Sequence, residues 1–463
     1  MPNALAYFMI MLWPVVTVML FRKLPADRAL IWSMIGAYLV LPPAPAGFDY
    51  PLVPPLTKDT LPPLVAFVAI VTMTSPKRPF LPESPIGRVL LAIFMLSPFP
   101  TVLTNTEPLS FGRTYILGLQ LKDAVSLMVQ QFLLILPFLM ARQLLVSAES
   151  QRALLVALVA AASVYTLPML VELRMSPQLN TWIYGWFQHD FSQMMRGGGY
   201  RPIVFLYHAL WLAFFMVMAA VSATALLKTE RRNALRAVWL AAMIWLVIIL
   251  VLTKSYAPIL YALVLLPLVL FLGTRLQIAA AACIALFAVS YPMLKGVDMI
   301  PAQTVLAAAE RVDATRARSL EFRFDNEELL LDRLEQKPLF GWGTWGRNHV
   351  HNEEGRMITI ADGRWIITMG VYGWVGFLAE FWLITLPIFM IWRESLRKDD
   401  PVPPYAGPLA LLLAVNLFDM IPNATLTPLT WLVAGALWGF AEERQARARR
   451  QAVAAAPVWR SVM

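Results

Sequence analysis

The chain has 463 residues, of which 59% are hydrophobic and 14% charged. Soluble domains average roughly 45–50% apolar and about 25% charged residues, and they avoid the large exposed apolar patches this composition would force on them. Disorder needs low hydrophobicity, so the class that remains is an all-α polytopic membrane protein, and its net charge of +9 is a topology signal before it is a sign of nucleic acid.

A spanning helix needs about 20 mostly apolar residues, with a range of roughly 17–25. In chain order the candidate spans are 4–21, 29–48, 60–76, 89–105, 124–141, 153–171, 202–227, 237–253, 255–274, 276–294, 365–392, 404–418 and 424–441. This gives 12 or 13 helices, the first, the third and the final short pair having the weakest patterns. The first run lacks a basic leader and a small-residue cleavage site, so it reads as a retained span. Prolines cluster at span ends, as in Pro42–Pro45 and Pro51–Pro55. The chain therefore divides into a bundle of ten spans (1–295), a large polar loop (296–364), three further spans (365–441) and a basic tail (442–463).

Orientation follows from short loops. One alternating set holds Arg22, Lys23, Arg28, Lys77, Arg78, Arg88, Arg142, Arg152, Lys228, Arg231, Arg232, Arg236, Arg275, Arg393, Arg397 and Lys398. The tail adds Arg444, Arg447, Arg449, Arg450 and Arg460. These are 21 of the 38 bases, so that side is expected to be cytoplasmic and the loop 296–364 periplasmic. Within that loop Leu320, Phe324, Leu331 and Leu334 fit the stripe of an amphipathic helix, which Lys337-Pro338 ends. Segment 172–201 is the other outer stretch, rich in aromatic residues suited to the headgroup level.

All four histidines fall on the outer side, with His208 placed one or two turns into the span 202–227. Outer bases include Arg196, Arg201, Lys254, Arg316, Arg318 and Arg323, while only Glu380 lies clearly deep in a span and Asp419 lies near an outer end. An ion-coupled carrier would carry more intramembrane charge, since each such group is costly. This distribution favours chemistry at the outer mouth, and several arginines at a lipid–water boundary suit a phosphorylated lipid headgroup. The competing reading is ordinary pairing, for loop 296–364 holds twelve acids against nine bases. The single cysteine, Cys283, excludes an internal disulfide or a cysteine-based metal site. His349 and His351 with Glu353 and Glu354 lack the spacing of a zinc-binding helix face, so neither metal nor cofactor is expected.

Residues 323–376 read RFDNEELLLDRLEQKPLFGWG, a polar stretch, then ADGRWIITMGVYGWVG. This segment resembles the bacterial O-antigen ligase and O-antigen polymerase family of membrane glycosyltransferases. In that family an arginine precedes an amphipathic helix, a Pro-Leu-x-Gly-x-Gly turn, and a His-Asn pair separated by nine residues from a Gly-x-x-Gly. Here Pro338-Leu339-Phe340-Gly341-Trp342-Gly343 matches the turn, and Gly373-Trp374-Val375-Gly376 matches the glycine pair. Asp362-Gly363 stands where the family has His-Asn. The likeness covers 323–376 at motif level and 125–440 in hydropathy pattern.

The resemblance implies a metal-independent, inverting glycosyltransferase at the periplasmic face of the bacterial inner membrane. It implies a donor glycan on undecaprenyl pyrophosphate, a glycan or lipid acceptor, and other polysaccharide-export proteins as partners, with no nucleic acid. Arg323 matches the loop arginine, and Arg201 and Lys254-Ser255 resemble the other pyrophosphate-binding positions. Arg196, His208, Arg318, His349 and His351 are further candidates for substrate contact. Asp362 then acts as the base, or His349 or His351 has taken that role, or activity is lost; alternatively Asp362 caps the helix starting near Trp365. Polymerase is preferred over a ligase acting on a lipid or protein acceptor. A flippase for lipid-linked oligosaccharide and a non-catalytic assembly partner are the readings from other classes.

Overall fold

Each of the thirteen apolar segments contains a helix, the structure that satisfies the backbone internally in a bilayer. The computed structural model describes residues 1–50, 53–74, 79–297, 299–312, 314–397 and 400–455, without the side chains of 302, 305, 308, 309, 312, 314–316 and 452–455. Of the residues named above, Pro51, Lys77, Arg78, Lys398 and Arg460 lie outside the described residues, as does the side chain of Arg316.

In chain order the elements are α1 (Ala4–Lys23), α2 (Ala26–Val40), β1 (Phe48–Tyr50), β2 (Val53–Leu56), α3 (Leu61–Met73), α4 (Pro85–Leu96) and α5 (Pro98–Leu103). Next come β3 (Leu109–Phe111), β4 (Thr114–Ile116), α6 (Leu121–Leu144), α7 (Ala148–Met175), α8 (Leu179–Tyr184), β5 (Met195–Arg196) and β6 (Gly199–Tyr200). Then follow α9 (Ala209–Thr229), α10 (Asn233–Leu252), α11 (Tyr256–Phe271), α12 (Thr274–Gly296), α13 (Ala302–Val312) and α14 (Ala314–Glu335). The chain closes with α15 (Arg364–Ser395), α16 (Ala406–Asp419) and α17 (Pro428–Ala455). Among the described residues eight helical stretches are long and apolar enough to cross a membrane: α1, α4 with α5, α6, α7, α9, α10, α12 and α15. Helices α3, α11 and α16 are apolar but shorter. The strands form three separate two-stranded antiparallel hairpins.

Local sequence sets the helix starts. Asn3, Ser84 and Ser147 each accept a backbone N–H of the first turn through the side chain, as good N-caps do. Arg22 and Lys23, Arg142, and Lys228 sit in the last turns of α1, α6 and α9, where cations complement the helix dipole.

The centre of the bundle is α9, buried along nearly its whole length, with α16 and the first half of α17. Against it α10 exposes Val238, Ile244, Ile248 and Val251, an apolar face suited to acyl chains. Gly435 and Gly439, four residues apart on α17, bring that helix onto α6: an added Cβ would stand 2.2 Å from the Phe138 carbonyl oxygen and 2.0 Å from that of Arg142. This is the small-residue contact by which membrane helices pack closely. One turn beyond, Arg142 and Glu442 form a buried ion pair at 2.6 Å. Arg444 pairs with Asp400 at 3.0 Å and Arg152 with Glu230 at 3.4 Å, all at the end of the bundle expected to be cytoplasmic.

Four span readings need correction. The run 29–48 is helical only to Val40, and the run 89–105 is two helices, α4 and α5, that meet at Ser97. The run 202–227 is not one helix: 202–208 are irregular, and α9 begins at Ala209 with His208 as its N-cap. His208 therefore stands at the mouth of the bundle rather than inside a span. The run 365–392 is also interrupted, because Gly373 adopts φ 65°, ψ −166° within α15. In a straight helix Arg364 and Glu380 would be about 24 Å apart, at 1.5 Å per residue. The break folds them together: Arg364 Nε donates to Glu380 Oε1 at 2.7 Å, and Thr368 Oγ1 donates to the same oxygen at 2.9 Å.

The amphipathic helix expected in loop 296–364 is present as α14, preceded by α13. Its buried face carries Ala317, Asn326, Glu327, Leu330 and Leu334, while Leu320, Phe324 and Leu331 are half-buried.

Candidate active site

The non-basic end of the bundle collects the hairpins, α14 and the loops before α9, α15 and α17. The loop before α9 is fixed from two sides. Glu172, in the last turn of α7, accepts the backbone N–H of Ile203 at 2.7 Å and of Val204 at 2.8 Å through one oxygen, and that of Leu179 at 3.1 Å through the other. Lys58 donates to the Phe205 carbonyl at 2.8 Å, and the Tyr207 hydroxyl donates to Asp59 at 2.7 Å. Burial drives the Lys58 ammonium down to about 8 against the opposing pull of Asp59.

This loop presents Arg201, whose side chain is 1% exposed. Its guanidinium donates to Ser255 Oγ at 2.9 Å and to the Gln193 carbonyl at 3.3 Å, while Nε is buried without a hydrogen-bond partner. Among the described residues no carboxylate pairs with it. Burial, and then neighbouring Arg196, push it down to about 10, which leaves it charged at neutral pH. A buried cation without a counter-charge is costly, and a bound anion would relieve that cost.

Lys254, in the turn between α10 and α11, donates to the carbonyls of Arg196 at 3.1 Å and Gly197 at 3.2 Å. It therefore ties down the exposed β5–β6 hairpin beside Arg201 and keeps one N–H to spare.

His208 links this group to the next. Its Nδ1 accepts the backbone N–H of Leu210 at 2.9 Å, which leaves Nε2 as the proton-bearing donor of the neutral ring. Burial holds it down at about 3, with His189, Arg201, Arg323 and Arg196 pushing in the same direction. The unfolded chain thus binds a proton that the folded chain refuses between pH 6.5 and 3. The stability due to His208 is complete above pH 6.5 and is lost as the pH falls through 3. We expect His208→Gln to narrow the drop in Tm of the detergent-solubilised protein between pH 7 and pH 4.5; an unchanged drop would show that His208 is not held neutral.

Arg323 and Asp362, 39 residues apart in sequence, meet across the mouth: Arg323 Nε lies 3.3 Å from Asp362 Oδ2, with side chains 29% and 39% exposed. Arg323 also donates to Asn423 Oδ1 at 3.4 Å. Below it, buried Asp419 accepts from Tyr261 at 2.9 Å, Asn423 at 3.0 Å and Thr425 at 2.7 Å. The N-cap of α15 is Gly363 and no side chain caps that helix, so Asp362 is not spent on capping. Its place is set by the backbone, for Arg364 N–H donates to the carbonyls of Met420 at 2.9 Å and Asn423 at 3.2 Å.

One turn along α14 from Arg323 sits Glu327, 7% exposed, accepting from the Tyr291 hydroxyl at 3.1 Å. Burial raises this carboxyl to about 7, despite the opposing effects of Tyr291, Lys295, Trp365 and Arg323.

The two glycine motifs are halves of one joint. The break at Gly373 frees backbone groups of α15, and the turn 338–343 supplies their partners. Trp374 and Val375 donate to the carbonyls of Pro338 and Leu339 at 2.9 and 3.2 Å. Trp342 and Gly343 donate to those of Gly370 and Val371 at 2.8 and 3.0 Å. From α5 and the residues after it, Thr101 and Asn105 bond the carbonyls of Phe340 and Gly341 at 2.7 and 2.9 Å. The joint fixes both α14 and the start of α15, hence Arg323 and Asp362.

The remaining expected residues stand apart. Arg318 is exposed, five residues before Arg323 and about 140° round the helix. His349 bonds Thr359 through Nδ1 at 3.1 Å, and His351 stacks on Phe111 with centroids 4.6 Å apart. Both rings line a cavity with Asp332 and Arg333 of α14 and Gln336 just after it, nine to thirteen residues from Arg323, or about 14–20 Å along the axis.

Sequence reasoning missed Glu172, Lys58, Glu327, Tyr261 and Asn423. Glu172 and Lys58 carried the only available signal, an ionisable residue bordering an apolar run. Among the described residues no three His, Cys, Asp or Glu side chains gather as metal ligands. In comparisons with known proteins, no family model and no curated protein matches the chain.

Proposed function

We propose that the protein is a glycan polymerase or ligase of a bacterial inner membrane, acting at the periplasmic mouth on oligosaccharide carried by undecaprenyl pyrophosphate. On this reading it has 12 or 13 spans, with 296–364 as a periplasmic loop. The observation that carries the reading is the Arg323–Asp362 pair at 3.3 Å, at the same mouth as the buried and unpaired Arg201. His208, which feels both arginines, joins the two halves.

In the free protein Asp362 is held by Arg323. A donor pyrophosphate competes for that guanidinium and frees the carboxylate. An acceptor hydroxyl oxygen then attacks the anomeric carbon of the donor sugar from the face opposite the pyrophosphate. Its proton passes to Asp362. The bond from the anomeric carbon to the pyrophosphate oxygen breaks, and its electron pair leaves with the lipid pyrophosphate. Arg201, Arg323, the spare N–H of Lys254 and the Nε2–H of His208 stabilise the charge that develops there. The acceptor proton remains on Asp362 until solvent removes it.

The test is reconstitution in vesicles with a labelled lipid-linked oligosaccharide. We expect glycan transfer, falling about 10²–10³-fold in Arg201→Gln and in Arg323→Ala, as for loss of one preorganised donor to a developing oxyanion. Transfer that survives both substitutions would overturn the site. Movement of intact lipid-linked glycan across the membrane without transfer would make the protein a flippase.

A further inference from the structure

Beside the candidate active site, along α14, lies a separate cavity of about 240 Å³. One water occupies roughly 30 Å³ in the liquid, and drug-sized pockets begin at about 300 Å³, so this space suits one small polar ring. Its walls include Phe111, Asp332, Arg333, Gln336, His349 and His351.

The chemistry of the wall is that of a neutral ligand. Arg333 is largely engaged: its guanidinium lies 3.4 Å from the centre of the Trp342 ring and donates to Gln336 Oε1 at 3.1 Å and the Arg347 carbonyl at 3.2 Å, and only its buried Nε lacks a partner. Burial holds both imidazoles below their ordinary value, so neither adds positive charge at neutral pH. Asp332 is exposed and has no ion-pair partner among the described residues, which makes the wall unfavourable to an anion. Its lining residues carry a carboxylate acceptor on Asp332, amide N–H groups on Gln336, and an Nε2 on His349 that has no hydrogen-bond partner among the described residues. Donors and acceptors gathered in one lining match the hydroxyls of a pyranose.

The geometry points to a sugar-binding subsite here, which holds one unit of a neutral glycan roughly 14–20 Å along α14 from Arg323. This inference rests on the glycosyltransferase reading for its role, where it holds an acceptor chain several units away from the reacting hydroxyl. Remote contacts of that kind contribute binding energy that short acceptors cannot use. Asp332 and Gln336 are the specificity residues, and neither touches the reacting atoms.

The experiment has two arms, both with the full-length protein in nanodiscs. In the first, transfer from undecaprenyl-pyrophosphate-linked oligosaccharide is measured with acceptor glycans of increasing length. Asp332→Ala and Gln336→Ala should raise KM for long acceptors about tenfold, the loss of one hydrogen bond involving a charged or buried partner, and leave kcat and the shortest acceptor unchanged. Equal KM at every length would overturn the subsite while leaving the transferase reading intact. The second arm needs no turnover. Saturation-transfer NMR is run with methyl glycosides of glucose, galactose, mannose and N-acetylglucosamine and with their disaccharides. A signal lost in Asp332→Ala and kept in Arg323→Ala supports the subsite even if no transfer is seen. No signal from any of these sugars, a signal indifferent to Asp332→Ala, or competition by inorganic phosphate would overturn it.

Discussion

Asp362→Asn should leave the folded protein and its binding of lipid-linked donor intact and lower the transfer rate by about 10²–10⁴-fold, the usual contribution of a positioned general base. The amide keeps the size of the carboxylate and can still accept from Arg323, which it meets at 3.3 Å in the native chain. What it loses is the ability to take a proton. The nearest competitor for that role is Glu327, whose carboxyl is raised to about 7 by burial. Glu327 is only 7% exposed and bonds Tyr291, whereas Asp362 opens on the mouth where an acceptor would enter. Glu327→Gln should therefore keep transfer within about tenfold of wild type. Reversed effects in single-turnover rates, large for Glu327→Gln and small for Asp362→Asn, would move the base from Asp362, before α15, to Glu327 on α14.

Gly373→Ala should be strongly destabilising for a single added methyl group. At φ 65° an L side chain costs about 1–2 kcal/mol, and the added Cβ would lie 2.3 Å from the Leu339 carbonyl group. Neither escape is cheap. Straightening α15 separates Arg364 from the fully buried Glu380, and stranding a buried charge costs about 3–5 kcal/mol. Expelling the turn 338–343 instead strands the backbone groups it satisfies at Gly370, Val371, Trp374 and Val375. We expect a loss of at least about 3 kcal/mol, read as a lower Tm and a poorer folded fraction in fluorescence-detected size exclusion. Gly273→Ala is the control, since a Cβ there meets nothing within 4 Å and its φ is ordinary. Equal melting of the two variants would contradict the joint.

The positions of most helices were legible because hydropathy marks them, and each apolar run contains a helix. The misreadings of 202–227 and 365–392 share a cause. Residues 202–206 are apolar because protein buries them, with Glu172 and Lys58 satisfying their backbone, so nothing local marks them as non-helical. Gly373 interrupts α15 without disturbing its apolar pattern, and a Gly-x-x-Gly in such a run resembles ordinary helix packing. Arg323 and Asp362 were found through motif spacing, which carries the distant pairing that hydropathy lacks. Arg201 was recognisable as an outer base, but its burial and lack of a carboxylate depend on the fold of the loop around it. His349 and His351 could be placed on the outer side, yet only the packing of 349–351 against α14 separates them from Asp362.

The central claim is that this mouth breaks a glycan–pyrophosphate bond. Its most direct test is a single-turnover measurement with the purified protein in nanodiscs, in EDTA, given undecaprenyl-pyrophosphate-linked oligosaccharide with and without acceptor glycan. We expect acceptor-dependent release of undecaprenyl pyrophosphate, with the new linkage inverted at the donor's anomeric carbon and the reaction abolished in Arg323→Ala. A donor lipid that stays glycosylated with every acceptor offered would contradict the claim.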